Sequence, residues 1–104
     1  MGSGPLRLLE NIRKNKSINK AARSMNLSYV KALKILNRLE KGLDRKMLIR
    51  ERGGNMRGGT QLTCYAEKYI ELFIMLEERI NRFAQSEFQK FQKDLEKDKE
   101  NEHS

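Results

Sequence analysis

Cationic side chains recur at helical spacing in residues 28–41, where they could bind a polyanion. Placing successive residues 100° apart divides this segment into two arcs. The apolar arc consists of Tyr29, Ala32, Ile35, Leu36 and Leu39. The opposite arc consists of Val30, Lys31, Lys34, Asn37, Arg38 and Lys41. Since lysine and arginine donate hydrogen bonds to phosphates and guanine edges, and valine contacts thymine methyl groups, this arc has the chemistry to read DNA.

The preceding segment predicts a short helix joined to this one by a sharp corner. Residues at i, i+3, i+4 and i+7 form its apolar face: Ile18, Ala21, Ala22 and Met25. Ser17 and Ser28 occupy the N-cap positions of the two helices, and Leu27 is expected to be buried under the corner. The paired alanines let two helices cross closely. Helix, corner and basic helix in this order are typical of a helix-turn-helix that binds DNA.

In that geometry the first turns of the second helix reach base edges, and the surrounding residues hold the phosphate backbone. The residues assigned to base edges are Val30, Lys31 and Lys34, with Tyr29 at the margin. The residues assigned to phosphates are Ser17, Lys20, Arg23, Arg38 and Lys41. Ser28 is expected both to cap its helix and to contact a phosphate, and Asn37 lies on the same arc. The alternative is a basic face that is merely solvated.

A glycine-rich loop between two short extended segments predicts a β-hairpin. Residues 47–52 and 60–62 have the composition of strands, and residues 53–59 contain four of the seven glycines. Arg52, Asn55 and Arg57 lie in or beside this loop, where they would meet the phosphate backbone or the minor groove. A nucleotide-binding loop would need Gly-Lys-Ser/Thr at the start of a helix, and here a strand follows. An unliganded hairpin tip is the remaining alternative.

The rest of the chain supplies a first helix and a long last one. Pro5 can open a helix that ends near Asn15 and has the apolar residues Leu8, Leu9 and Ile12. The basic helix is predicted to end at Gly42, and Thr63 can cap a final helix from Cys64 to at least Phe91. The predicted parts are a helix-turn-helix domain with its wing (1–63), a long helix (64–96) and a charged, disordered tail (97–104).

The last helix carries an apolar seam that predicts a homodimer. Steps of 4, 3, 4 and 3 residues join Tyr69, Phe73, Leu76, Ile80 and Phe83. After a local phase shift the pattern continues through Ala84, Phe88, Phe91 and Leu95. A helix over residues 64–95 is about 48 Å long, more than a small three-helix domain can cover, so a second copy is the simplest partner. Alternatively, its first half packs and the rest frays.

The net charge of +8 arises from the first 60 residues of the chain. Residues 1–60 contain 15 Lys and Arg against 4 Asp and Glu, whereas residues 61–104 contain 7 against 10. A one-sided basic excess beside a groove-reading motif favours double-stranded DNA as partner. The length of 104 residues fits one domain, and no apolar run approaches the roughly 20 residues of a membrane span. With no signal-peptide pattern either, no membrane partner is expected.

The few residues suited to metal, redox or catalytic chemistry are scattered. One cysteine, Cys64, fits a reducing, cytoplasmic setting, and it is expected to be a small buried apolar residue rather than a redox-active thiol. His103 has no cluster of neighbouring ligands, so neither a metal nor another cofactor is expected. No grouping of His, Cys or carboxylates has catalytic spacing, which argues against an enzyme.

The ordered set of elements resembles the DNA-binding domain of the molybdate-responsive (ModE) regulators and, more distantly, of LysR-type regulators. The resemblance is carried by Ser17-Ile18, Ala21-Ala22, Leu27-Ser28-Tyr29, Leu39-Glu40, residues 48–52, and Gly58-Gly59 through Leu62-Thr63. It implies a mainly α fold, a winged helix-turn-helix of three helices and a two-stranded wing, with a long C-terminal dimerisation helix.

The same resemblance sets a limit on the expected activity. ModE-type regulators carry a C-terminal oxyanion-binding region, which this sequence lacks before it ends at Ser104. Molybdate sensing is therefore not carried over. The chain is expected to be a DNA binder alone, a part of a longer protein, or a protein whose sensor is a separate partner.

Three classes of function are compatible with these features. The first is a sequence-specific transcriptional regulator, a homodimer on a pseudo-palindromic operator, with the recognition helix 28–41 in the major groove and the wing 53–59 on the backbone or minor groove. The second is a non-specific nucleoid or architectural DNA-binding protein. The third is a protein-interaction module in which the winged helix is a scaffold. The regulator is the leading hypothesis, because base-edge chemistry and a dimer seam occur together.

Overall fold

The computed structural model describes residues 3–50 and 59–102. The elements in these residues are α1 (Gly4–Asn15), α2 (Ile18–Ser24), α3 (Tyr29–Leu43), β1 (Leu48–Arg50), β2 (Thr60–Leu62) and α4 (Cys64–Glu102). The strands pair antiparallel, with Leu48 opposite Leu62 and Arg50 opposite Thr60. The predicted mainly α winged helix-turn-helix is therefore confirmed. None of the described helices is both long enough and apolar enough to cross a lipid bilayer.

The chain divides into two compact units, Met1–Leu72 and Phe73–Ser104, and the first contains the hydrophobic core. The buried residues include Leu8, Leu9 and Ile12 of α1, Ala21 and Ala22 of α2, and Ala32, Leu36 and Leu39 of α3. Met47, directly before β1, and Ile70 of α4 are also buried. The predicted apolar stripes of the first three helices thus face one another. Leu27 is half-buried rather than buried, because it lies in the corner between exposed Asn26 and Ser28.

Three predicted N-caps are formed by side-chain hydroxyls. Ser17 Oγ accepts a hydrogen bond of 3.1 Å from the Lys20 N–H, and Ser28 Oγ accepts one of 3.1 Å from the Lys31 N–H. At the start of α4, Thr63 Oγ1 accepts a hydrogen bond of 3.1 Å from the Ala66 N–H. Each bond satisfies an N–H group that has no partner inside its helix. Local sequence therefore sets where these three helices begin.

Two helix ends differ from the prediction. Helix α3 passes through Gly42 and ends at Leu43, and the left-handed residue that follows is Asp44, at φ 53°. Aspartate is among the few non-glycine residues that adopt this conformation readily, so no glycine is needed. Helix α4 continues to Glu102, beyond the end predicted at residue 96. Residues 97–102 contain no glycine or proline and are rich in Lys and Glu, which favour helix over the predicted disorder.

The prediction that Cys64 is a buried apolar residue is wrong, because the structure places its thiol at the surface. Cys64 is the first residue of α4, and Ala66 and Ile70 of the same helix are buried. Two residues of helix correspond to a rotation of about 200°, so Cys64 lies on the side away from those buried residues.

The base of the wing is attached to the end of α1 through Gly59. The Thr60 N–H donates a 3.0 Å hydrogen bond to the Lys16 carbonyl oxygen. Gly59 has φ +65°, and a Cβ atom added there would collide with that same Lys16 oxygen. Glycine is required at this position both for its backbone conformation and for the close approach of the two chain segments.

Replacing Gly59 by alanine should lower the free energy of unfolding by at least about 2 kcal/mol, because left-handed strain and a backbone collision occur together. Urea denaturation followed by circular dichroism measures the change. The matched control is Gly42→Ala inside α3, where an added Cβ meets nothing within 4 Å. That control should be stabilising by about 0.5–1 kcal/mol, since alanine favours helix. Equal stabilities for the two variants would contradict the proposed role of Gly59.

Candidate nucleic-acid interface

Helix α3 turns one of its two predicted arcs toward the hydrophobic core and the other toward solvent. Ala32, Leu36 and Leu39 are buried and Ile35 is half-buried. Every residue of the opposite arc, called the polar arc below, is exposed: Val30, Lys31, Lys34, Asn37, Arg38 and Lys41. This face carries four cationic side chains in a row along the helix. A helix with such a face fits a major groove about 12 Å wide.

The side chain of Tyr29 is more exposed than its angle on the helix predicts. The angle assigns it to the apolar arc, but its side chain is 44% exposed. Tyr29 is the first residue of α3, directly after the Ser28 cap, where the helix has only begun to pack against the core. Tyr29 is therefore accessible together with Val30, which is 61% exposed, at the N-terminal end of α3.

The residues predicted to hold phosphates on α2 are also accessible. Lys20 and Arg23 are exposed, and Ser17 is half-buried at the N-cap. The first turns of α2 and α3 contain no acidic residue. No carboxylate in those first turns therefore opposes an approaching phosphate. Arg52, Asn55 and Arg57 of the wing lie outside the described residues, so their contacts remain predictions.

The one carboxylate of α3 is turned toward the wing. Glu40 is half-buried, and its Oε2 accepts a 2.8 Å hydrogen bond from the N–H of buried Met47. This bond joins the recognition helix to the residue that precedes β1. It also keeps the only negative charge of α3 off the polar arc. Sequence analysis gave Glu40 no role beyond the resemblance, because no local pattern links an acid to an amide seven residues later.

Thr63 connects the wing to the beginning of α4. Its Oγ1 donates a 2.8 Å hydrogen bond to the Lys46 carbonyl oxygen, and its N–H donates one of 3.0 Å to the Met47 carbonyl oxygen. Farther along α4, Glu67 forms a 2.9 Å ion pair with Arg13 of α1. Both side chains of that pair are about half exposed, so it contributes little compared with the Thr63 bonds.

The connection between α3 and β1 lines an open polar cleft of about 380 Å³. Its lining residues are Asn37, Glu40, Lys41, Asp44, Arg45 and Lys46. The Arg45 guanidinium lies over the Tyr65 ring, 5.8 Å from its centre. Charges of both signs line the cleft, and the Glu40 carboxylate already accepts a backbone hydrogen bond. Among the described residues, no group of three or more His, Cys, Asp or Glu is arranged to hold a metal ion.

The predicted dimer seam becomes more exposed along α4. Tyr69 and Phe73 are half-buried, and burial, with a smaller contribution from nearby Tyr65, raises the pKa of the Tyr69 hydroxyl. Leu76 and Ile80 are exposed, and Phe83 is 67% exposed. Sequence analysis missed two further exposed apolar residues, Leu72 and Met75. Leu72 stands four residues before Leu76, a spacing that already indicated one face.

Comparison with known proteins places these features in a family context. Residues 4–67 match the family described as "Bacterial regulatory helix-turn-helix protein, lysR family". The chain is 42% identical over 72 residues to the transcriptional regulator ModE of Haemophilus influenzae, a match that covers 69% of this chain and 28% of that protein. It is 32% identical over 99 residues to the molybdenum transport protein ModE of Azotobacter vinelandii, covering 85% and 37%. The chain thus spans about a third of the length of these relatives.

A solved structure supports the fold alone. The crystal structure of the CbnR DNA-binding domain in complex with DNA superposes with a TM-score of 0.64 at 20% sequence identity. The superposition covers 79% of this chain and 88% of that domain.

Replacing Glu40 by alanine should leave the buried Met47 N–H without an acceptor and lower the free energy of unfolding by about 1–3 kcal/mol. Glu40→Gln is the matched control, because its amide oxygen can still accept the hydrogen bond, and it should lose clearly less. Urea denaturation measures both. If the alanine and glutamine variants were equally stable, the hydrogen bond would not be what holds the strand in place.

Proposed function

The chain belongs to the lysR family of bacterial regulatory helix-turn-helix proteins, and from this premise we propose that it regulates transcription by binding a specific double-stranded DNA sequence. The observation that carries the proposal is the exposed face of α3, which presents its cations without a carboxylate among them. Neutralising phosphates with such a face releases counterions and supplies affinity, and the side chains at the helix start supply discrimination between bases.

Each side chain on this face has a proposed role. Val30 contacts a thymine methyl group, and Lys31 and Lys34 donate to guanine O6 or N7, with Tyr29 at the edge of the set. The phosphate contacts are Ser17, Lys20, Arg23, Ser28, Arg38 and Lys41. Asn37 lies between the two groups, on the exposed face. Exposure of all these residues except half-buried Ser17 supports the assignment.

The wing and the last helix complete the proposed mode of binding. Arg52, Asn55 and Arg57 contact the phosphate backbone or the minor groove beside the recognition helix. Two copies pair through the seam of Tyr69, Phe73, Leu76, Ile80 and Phe83 and bind two half-sites of a pseudo-palindromic operator. In this arrangement the half-sites lie about one helical turn, 34–36 Å, or a multiple of it apart.

A non-specific architectural protein is the second candidate, and the composition of the α3 face favours it. Three of its four cations are lysines, which act as point charges, whereas arginine binds guanine through two donors at once. Selecting bound sites from a random DNA pool distinguishes the two functions. A specific regulator should bind its selected site at least about 10³-fold more tightly than random DNA at one fixed salt concentration. Equal affinity for both would exclude the regulator.

On the selected site, Lys34→Ala and Arg38→Ala should differ although both remove one cation from the same face. Loss of the base contact at Lys34 should relax the sequence preference at one position by about 1–3 kcal/mol. Loss of the phosphate contact at Arg38 should weaken all sequences alike and reduce the salt slope by about one. Fluorescence anisotropy titrations at several salt concentrations measure both quantities. An unchanged binding motif for Lys34→Ala would show that the base assignment is wrong.

The dimer seam is tested at exposed residues, because a substitution there leaves the core of the single chain intact. Ile80→Glu combined with Phe83→Glu should convert the dimer to a monomer, because two carboxylates would face each other across the seam. Light scattering measures the mass, and circular dichroism checks that the helix content is retained. The control is Arg79→Gln with Arg82→Gln, which changes the net charge by the same amount at exposed polar positions of the same helix. A dimer that survives the first pair of substitutions would move the interface elsewhere.

A further inference from the structure

We infer that Arg45 and Lys46, in the turn between α3 and β1, contact phosphates of the DNA duplex beyond those assigned to the polar arc, and that the Tyr65 ring positions the Arg45 guanidinium for this contact. All three residues lie in the first unit, Met1–Leu72. The inference rests on the proposed binding of DNA, but it concerns residues to which that proposal gives no role.

The site is the open cleft of about 380 Å³ beside the end of α3. Two of its lining residues, Asn37 and Lys41, also belong to the exposed polar arc. The cleft therefore continues the surface that is proposed to face DNA. Phosphates of one strand follow each other every 3.4 Å or so along the duplex axis, so a row of cations can meet successive phosphates.

The cations of the cleft are available to an external anion. Lys41, Arg45 and Lys46 are exposed, and no ion pair within residues 3–50 and 59–102 includes any of them. Of the two acids that line the cleft, Glu40 already accepts the Met47 N–H. Phosphate is a suitable partner, because guanidinium and ammonium groups donate charge-assisted hydrogen bonds to its oxygens.

The backbone of the turn is held at both ends. The Arg45 N–H donates a 3.2 Å hydrogen bond to the Glu40 carbonyl oxygen, and the Lys46 carbonyl oxygen accepts one of 2.8 Å from Thr63 Oγ1. A turn fixed in this way presents its two cationic side chains from a defined position. Less conformational entropy is then lost when an anion binds.

The Tyr65 ring restrains the Arg45 side chain. The guanidinium lies 5.8 Å from the centre of this ring, which is 39% exposed. One guanidinium nitrogen donates a 3.4 Å hydrogen bond to the Asp44 carbonyl oxygen. Because arginine has five N–H donors, most of them remain free for a phosphate while the ring attracts the cation.

Continuity with α3 favours DNA over an acidic protein segment as the partner. A molecule that fills the cleft contacts Asn37 and Lys41, and it must therefore adjoin whatever lies on the polar arc. One duplex can occupy both surfaces at once. An acidic protein segment would have to share Lys41 with the DNA.

Removing either cation should reduce the salt dependence of DNA binding. Arg45→Ala and Lys46→Ala should each lower the salt slope by about one and weaken binding about five- to tenfold at 0.1 M salt, with an unchanged sequence preference. Fluorescence anisotropy titrations measure both quantities. The control is Arg7→Ala, which removes an exposed guanidinium from α1 and should leave the slope unchanged. Slopes equal to that of the wild type for both cleft variants would overturn the inference.

Removing the remaining acid of the cleft should act in the opposite direction. Asp44 is exposed at φ 53°, a conformation that asparagine also adopts readily, so Asp44→Asn keeps the turn. Loss of its charge beside a phosphate should strengthen binding by about threefold. The control is Glu71→Gln, which removes an exposed carboxylate farther along α4. Equal affinities for these two variants would show that no phosphate approaches the cleft.

A double-mutant cycle tests the role of Tyr65 as a positioning residue. Tyr65→Leu should weaken DNA binding about two- to fivefold, whereas Tyr65→Phe keeps the ring and should bind like the wild type. In the Arg45→Ala background, Tyr65→Leu should cause no further loss. A loss of the same size in that background would overturn this role, and circular dichroism checks that each variant retains its helix content.

Uncharged methylphosphonates, substituted one at a time for the phosphates of the selected duplex, locate the contact. At the phosphate that Arg45 contacts, the wild type should lose about five- to tenfold in affinity and Arg45→Ala should lose little. Equal losses for both proteins at every position would overturn the contact. If the cleft variants lose binding to poly-L-glutamate but not to DNA, the partner is an acidic protein and the inference is wrong.

Lys34→Ala separates failure of this inference from failure of the proposed function. A relaxed sequence preference for Lys34→Ala, together with unchanged slopes for Arg45→Ala and Lys46→Ala, rejects the cleft contact alone. A wild-type chain that does not bind DNA rejects both.

Discussion

The hydrogen bond from the Thr60 N–H to the Lys16 carbonyl oxygen holds the wing against the helical body. It forms because Gly59 has no side chain and adopts φ +65°, and because Lys16 itself is left-handed at φ 55°. Ser17, which follows Lys16 directly, caps α2. One turn of backbone therefore ends α1, begins the helix-turn-helix and fixes the second strand of the wing. The parts proposed to contact DNA depend on this junction for their positions relative to one another.

The electrostatic character of the α3 face follows from the direction of one side chain. The helix contains a single acid, Glu40, and its carboxylate accepts the Met47 N–H on the side of the wing. The position of Glu40 on the helix and this hydrogen bond thus both keep the carboxylate away from the cationic face. The proposed binding of a polyanion by the first unit therefore depends on its internal packing, since the hydrogen bond to Met47 also directs this carboxylate toward the wing.

Helix α4, unlike the first three helices, is buried only near its start. Near its start, Ala66 and Ile70 are buried, and Thr63 anchors the helix by four hydrogen bonds. From Leu76 onward its large apolar side chains are exposed in the isolated chain. Such a helix retains its form through local propensity, and the dimer proposed for this chain would cover its apolar residues. The change of phase after Phe83 divides these apolar residues into two stretches that point in different directions from the helix axis.

Features that depend only on neighbouring residues could be predicted from the sequence. The caps at Ser17, Ser28 and Thr63, the apolar stripes of the first three helices and the antiparallel strands were all predicted, because hydroxyl spacing and helical periodicity act within a few residues. The contact of Gly59 with Lys16 and the bond of Glu40 to Met47 arise from the tertiary packing. The packing also sets the end of α3 at Leu43 rather than at Gly42. These features depend on how distant segments approach one another and on which of several permitted conformations the packing selects, and no local pattern encodes either.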